Sequence, residues 1–149
     1  MKRRKFIQGT VAAAAVMYLS PADTWSAPIK QDFTLDQRLN PIFALGKVQN
    51  EKIKLDVPKL AEDGSIVPIS FEVDSPMTAD NYIKTLWVLA DKNPDPLLLT
   101  VDLTHHVGIT SFETRIRMAD AANVRVYAWD SKNNLYGAVK WVEATPGCA

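Results

Sequence analysis

The sequence predicts an all-β protein with one short helical segment near its start. Three observations carry this. From residue 51 onward apolar residues recur at every second position, the spacing that lines one face of a pleated strand. These runs are short and are broken by clusters of Pro, Gly, Asp and Asn. No long stretch of helical period separates them. The 149 residues are 47% hydrophobic and 23% charged, enough for one domain with a real core.

Taken in order, residues 34–45 are the helical segment. Thr34 can cap it, Gln37 stands three residues later as a capping box requires, and Leu35, Leu39, Ile42 and Phe43 share a face. Pro41 inside this run predicts one or two short turns, split or bent there. Ile53, Leu55 and Val57 then alternate with charged residues until Pro58, and Glu62-Asp63-Gly64-Ser65 reads as a turn. Val67, Ile69, Phe71 and Val73 line the next strand. Pro68 cannot donate a ladder hydrogen bond, so that strand is expected at an edge or with a bulge. Tyr82 to Ala90 is apolar on both faces and reads as a central strand. After the turn Asn93-Pro94-Asp95-Pro96, Leu97, Leu99, Val101 and Leu103 alternate with polar residues.

Phe112, Thr114, Ile116 and Met118 are expected inside, opposite Glu113, Arg115 and Arg117. Val124, Val126 and Ala128 follow inside, opposite Arg125, Tyr127 and Trp129. Asp130 to Asn134 forms a hairpin loop, and Leu135 to Val142 closes the domain with Val139 and Trp141 inward. The last strand is expected to end near Glu143. Such a succession predicts an immunoglobulin-like antiparallel β-sandwich of about seven strands over residues 51–143. It is preceded by a helical or irregular segment, residues 23–50, and followed by a flexible C-terminal arm, residues 144–149. Tyr127, Trp129, Tyr136 and Val142 would leave outward faces partly apolar, which a covering layer or a protein interface would explain.

The N-terminus reads as an export address. Lys2, Arg3, Arg4 and Lys5 precede a short apolar stretch from Thr10 to Leu19, too short to span a bilayer. Ser20-Pro21-Ala22 places small residues for cleavage after Ala22, so residues 1–22 form the signal peptide. Arg3-Arg4-Lys5-Phe6-Ile7 resembles a twin-arginine signal, although Lys2 stands where Ser or Thr is usual. A general secretory signal with a chance Arg pair is the alternative. Cleavage removes four basic residues and no acidic one, leaving 13 basic against 17 acidic residues in a mildly acidic chain directed to a bacterial periplasm. Twin-arginine export carries folded proteins, yet no cofactor motif demands cytoplasmic folding; co-export with a partner chain would account for the route.

Composition narrows the function further. The single cysteine excludes internal disulfides, zinc ribbons and iron–sulfur ferredoxins. No basic run follows residue 5, which argues against nucleic acid, and no later segment is apolar enough to cross a membrane as a helix. His105 and His106 are the metal-ligand candidates. Adjacent strand residues point to opposite faces and no third ligand is evident, so no metal site is expected. Arg115 and Arg117 share a face and could hold an anion or a partner chain.

The chemistry points to the C-terminal end. Thr145, Pro146, Gly147 and Ala149 surround Cys148 with small or turn-forming residues and no apolar anchor. Exported chains usually avoid an unpaired thiol. A thiol held out on an arm reads as a group-carrying handle rather than a catalyst. The nearby terminal carboxylate disfavours the thiolate, so the thiol would need another protein's active site to activate it. A Cys that only links two chains in a disulfide, including a Cys148-linked homodimer, is the competing reading.

The residues then match a known pattern. Lys52-Ile53-Lys54-Leu55 with Pro58, Ala61-Glu62-Asp63-Gly64 with Val67-Pro68, and Val73 to Thr78 carry the first part of it. Asn93-Pro94, Thr114 to Met118 and the Gly147-Cys148 tail carry the rest. Over roughly residues 40–148 the chain resembles the SoxY family of thiosulfate-oxidation carriers. The resemblance implies an immunoglobulin-like subunit paired with a second small sandwich protein, SoxZ, with substrate sulfur bound covalently at Cys148 and no resident cofactor. It also implies three visiting enzymes: a c-type cytochrome, a di-manganese hydrolase that releases sulfate, and a molybdenum-containing sulfane dehydrogenase. Members typically end Gly-Gly-Cys-Gly-Gly. Here Pro146-Gly147-Cys148-Ala149 stiffens the arm and adds a methyl group after the cysteine.

Overall fold

In the computed structural model, which describes residues 32–146, Thr34 and Gln37 close the reciprocal cap that their spacing predicts. The Gln37 amide donates to Thr34 Oγ1 at 3.3 Å and the Thr34 amide to Gln37 Oε1 at 2.9 Å. The signal peptide assigned to residues 1–22, the start of the segment after it, and Gly147, Cys148 and Ala149 lie outside the described residues. Helix α1 (Leu35–Phe43) runs unbroken past Pro41, contrary to the expected split. Pro41 stands on the exposed side, and so does Gln37, whose carbonyl loses its partner there and can turn to water. No helix among the described residues is long and apolar enough to cross a membrane.

The expected seven strands are all present: β2 (Ile53–Asp56), β4 (Val67–Val73), β5 (Ile83–Ala90), β6 (Leu97–Asp102), β7 (Ser111–Ile116), β8 (Ala122–Asp130) and β9 (Leu135–Ala144). Two two-residue strands join them, β1 (Val48–Gln49) and β3 (Leu60–Ala61). The large sheet has the order β1-β9-β8-β5-β6, with β3 also on β9, and the small sheet the order β2-β4-β7. The long strands pair antiparallel, as expected, but β1 and β3 both pair parallel to β9. Strand β4 is central rather than at an edge. Its pairing with β2 begins only at Ser70, so at Pro68 its sole neighbour is β7.

Between the sheets lies the main core, with Val67, Phe71 and Val73 of β4 facing Leu86 and Val88 of β5 and Val124 and Val126 of β8. A second, smaller core lies on the other face of the large sheet. There Leu39 and Ile42 of α1 cover Leu89, Tyr127 and Leu135, with Trp87, Leu97 and Trp129 at its margin. The helix is thus the layer that the apolar positions Tyr127 and Trp129 require. Phe43 closes it by meeting the Tyr127 ring edge-on at 5.6 Å. Arg38 ties the helix down through a two-pronged hydrogen bond to Asp95, in the turn before β6. Beyond the helix, Arg125 holds Asp91 at 2.6 and 2.8 Å, and this pairing raises the guanidinium pKa further.

Strand β9 corrects the expected phase. Tyr136 and Val142 point into the main core, whereas Val139 and Trp141 are exposed on the outer face. Register decides this: Tyr136 lies opposite Ala128, Ala138 opposite Val126 and Val142 opposite Ala122, all core positions of β8. Gly137 falls on the other face, opposite Tyr127, where an added Cβ would sit 2.8 Å from Tyr127 Cε1 and 2.7 Å from Val48 Cγ1. Gly137→Ala is therefore expected to destabilise the fold by about 1–3 kcal/mol through overpacking, measured as a lower urea midpoint with unchanged slope.

The β8–β9 hairpin is built around Asp130, which is only 2% exposed. Its carboxylate accepts the Lys132 amide at 2.9 Å, the Asn134 amide at 2.7 Å, the Asn134 side chain at 2.9 Å and the Tyr136 hydroxyl at 3.3 Å. Burial pushes this carboxyl upward, but the bonds from Asn134, Lys132 and Tyr136 outweigh it, so the group stays below its ordinary range. A depressed carboxyl stabilises the fold above its unfolded pKa of about 3.9 and loses that contribution as pH falls through the folded value. Asp130→Asn is expected to cost about 1–3 kcal/mol at neutral pH and to flatten the acid limb of the stability curve. Urea midpoints measured from neutral pH down to strong acid would show both effects.

Candidate functional site

The only thiol of the sequence lies three residues beyond Thr145, so the end of β9 decides where the chain leaves the sheet on the way to it. Strand β9 ends at Ala144, next to Glu143 as expected, but the backbone stays bonded for one residue more. Leu60 pairs with Glu143 and Ala61 with Ala144, the Glu143 amide donates to the Lys59 carbonyl at 3.0 Å, and Ala144 is buried. The Thr145 amide donates to the Ala61 carbonyl at 3.1 Å and its carbonyl accepts the Gly64 amide at 3.0 Å. Ala144 and Thr145, expected to open the arm, therefore belong to the folded body. Pro146, exposed, is the last described residue, and Cys148 lies outside the described residues. From Thr145 to Cys148 the chain can extend at most about 10 Å, against about 17 Å for an arm that leaves the sheet at Glu143.

Sequence-local chemistry builds this clamp. The turn Glu62 to Ser65, legible as a turn, closes when the Ser65 amide donates to Asp63 Oδ1 at 2.8 Å. The Ser65 hydrogen bonds, with a smaller push from Arg117, hold the Asp63 carboxyl below its usual range. The Gly64 carbonyl takes the Met118 amide at 2.7 Å, which fixes the turn to the end of β7. What spacing alone did not reveal is the partner of that turn, because the pairing joins residues some eighty positions apart through backbone atoms only. Around it the surface carries two exposed apolar side chains, Leu60 and Ile66, at 60% and 56% exposure.

The other candidates fall elsewhere. His105 and His106 occupy a turn rather than a strand, so their rings do not diverge: the centroids lie 3.8 Å apart, with Tyr82 edge-on to His105 at 5.7 Å. Among the described residues no three His, Cys, Asp or Glu side chains gather as a metal site. Arg115 lines a groove of about 440 Å³ on the small sheet with Asp56, Ser70 and Glu113, while Arg117 approaches Asp63. A largely apolar cavity of about 380 Å³ lies between α1 and the large sheet, against Trp87, Trp129 and Leu97.

Comparison with known proteins gives these features a context. The family described as sulfur oxidation protein SoxY matches residues 42–148. Among solved structures, the sulfur carrier protein SoxY from Chlorobium limicola f thiosulfatophilum superposes with a TM-score of 0.61 at 24% identity, covering 75% of this chain and 96% of that one. A superoxide reductase (neelaredoxin) variant from Ignicoccus hospitalis gives 0.57 at 12% identity, covering 64% and 82%. A putative superoxide reductase from Thermotoga maritima gives 0.56 at 15%, covering 66% and 93%. At such identities these likenesses speak for a shared sandwich fold alone. No curated protein matches the sequence.

The clamp at the end of β9 has a direct signature. The Thr145 and Gly64 amides are expected to exchange with solvent as slowly as those of neighbouring β9 residues, because the same opening exposes them. Hydrogen exchange followed by NMR would check this, and fast exchange at both amides would show that the folded body ends earlier.

Proposed function

The chain belongs to the SoxY family of sulfur oxidation proteins, and from this premise we propose that Cys148 holds the sulfur substrate covalently and presents it to separate enzymes. The carrier role follows from the family; attachment at Cys148 and periplasmic location are our reading. The observation that carries it is the reach of the family match to residue 148, which takes in the one cysteine of the chain. The Thr145 clamp supports it, since a thiol on a short lead from a rigid body is held near a visiting active site instead of diffusing away.

The chemistry divides between carrier and enzymes. In loading, the Cys148 thiol gives up its proton and bonds to the outer sulfur of thiosulfate. Two electrons pass to a c-type cytochrome, leaving a cysteine S-thiosulfonate. At a di-manganese hydrolase, water adds to the terminal sulfonate sulfur. The sulfur–sulfur bond breaks, sulfate and two protons leave, and a persulfide anion remains on Cys148. A molybdenum-containing dehydrogenase then oxidises that sulfane sulfur, with three waters supplying oxygen while six electrons and six protons depart. The chain itself supplies the attachment point and the positioning, not the oxidant, and it acts as a heterodimer with a SoxZ-like sandwich subunit. Export of the folded pair through the twin-arginine leader would bring both subunits to the periplasm.

In cells oxidising thiosulfate, intact-mass analysis is expected to find the Cys148 peptide carrying a thiosulfonate or persulfide. Cys148→Ser should abolish that added mass and thiosulfate-dependent growth together. An unmodified Cys148 during active thiosulfate oxidation would falsify the carrier reading.

A further inference from the structure

Chain ends are ordinarily loose unless something ties them down. Here the tie falls three residues short of the only cysteine. The Thr145 amide donates to the Ala61 carbonyl and the Thr145 carbonyl accepts the Gly64 amide, so both backbone groups of that residue are bonded. Thr145 is itself exposed, so burial is not what holds it. Its two anchors are fixed independently. Ala61 belongs to the main core, as does Ala144. Gly64 sits in a turn whose carbonyl takes the Met118 amide at 2.7 Å, and the Ile66 amide bonds back to the Asp63 carbonyl at 3.3 Å. Releasing Thr145 breaks two hydrogen bonds and buries nothing in exchange, so the closed clamp is the favoured state.

We infer that Thr145 is a positioning residue: held at Ala61 and Gly64, its backbone fixes the point from which Cys148 is offered, and the clamp acts as a depth stop for any enzyme that uses the cargo. The inference rests on the carrier reading of Cys148. The cysteine Cα lies at most about 10 Å from that of Thr145. An enzyme that reacts with the thiol must therefore carry its reacting atoms within that distance, plus the length of the cysteine side chain, of the surface it lays against the end of β9. A centre at the bottom of a deeper channel is out of reach, however well its mouth fits the carrier. Selection of this kind needs no particular side chain, only the count of residues between the clamp and the thiol.

The test changes the reach one residue at a time, in the full chain and in a thiosulfate-oxidising host. Deletion of Pro146 cuts the reach to about 7 Å. Adding Thr145→Pro to that deletion removes the amide that the Ala61 carbonyl accepts, moves the start of the lead back to Ala144 and restores about 10 Å. The initial rate at which Cys148 gains sulfur after thiosulfate is supplied is read by intact mass. The deletion is expected to slow it at least about tenfold, because misplacement by even 1 Å can cost about a hundredfold. Thr145→Pro is expected to bring the deleted chain back to within about threefold of the unsubstituted protein. A merely structural role for Thr145 predicts the opposite, since a second lesion at the clamp then adds to the first. Alkylation of Cys148 by iodoacetamide, which needs no reach, should proceed at the same rate in every variant, and fast hydrogen exchange at the remaining clamp amide reports the release. Gly64→Pro, which removes the other donor of the clamp, replaces Thr145→Pro should that variant not fold. Normal loading of the deleted chain, or no recovery in a chain whose clamp has been released, would overturn the depth stop and leave the carrier reading standing. Absence of added sulfur on Cys148 in the unsubstituted protein would overturn both.

Discussion

Everything about the presented end of this protein depends on a few backbone hydrogen bonds between β3, the turn after it and the end of β9. Without them the last residues would leave the sheet at Val142, the last position paired with β8. With them, β9 is held by β8 as far as Val142 and then by β3 and the turn after it from Glu143 to Thr145. The pairing needs no particular side chain at Thr145, only an amide and a carbonyl facing Ala61 and Gly64. Backbone groups buried at such a place must find partners, and here each finds the other. The result is a folded body that extends to Thr145.

The body can be this firm because the large sheet is covered on both faces. Its inner face meets the small sheet across the main core, and its outer face carries α1 over Leu89, Tyr127 and Leu135. The central strands β5 and β8 consequently have little surface for water. Gly137, on β9 opposite Tyr127, has no side chain to collide with that ring. Arg38 and Asp95 then fix the helix to the turn before β6.

Much of this was legible in the residues. The period-two runs located the seven long strands, Thr34 and Gln37 located the start of the helix, and the apolar character of both faces of residues 82–90 placed β5 at the centre. The misreadings have physical causes. In β9 both alternating sets hold apolar residues, Tyr136, Ala138 and Val142 in one and Leu135, Val139 and Trp141 in the other. Local pattern cannot choose between two such sets; register against β8 does. Strands β1 and β3 are two residues each and pair parallel with a distant segment, so no periodicity announces them. Pro41 looked like a helix breaker because position alone does not say which side of the helix meets water. The single cysteine was conspicuous in the sequence, yet the clamp that sets its reach is a long-range backbone feature.

The two short parallel strands have one more effect. They occupy opposite ends of the outer edge of β9, at Leu135 and Tyr136 and again at Glu143 and Ala144, and leave only the stretch between them open. An open sheet edge is a template on which another molecule can add a strand, the first step toward insoluble fibrils. Here a foreign strand would meet a plug at either end and Lys140 in the middle. The longest strand of the fold is thereby kept from polymerising through its free edge.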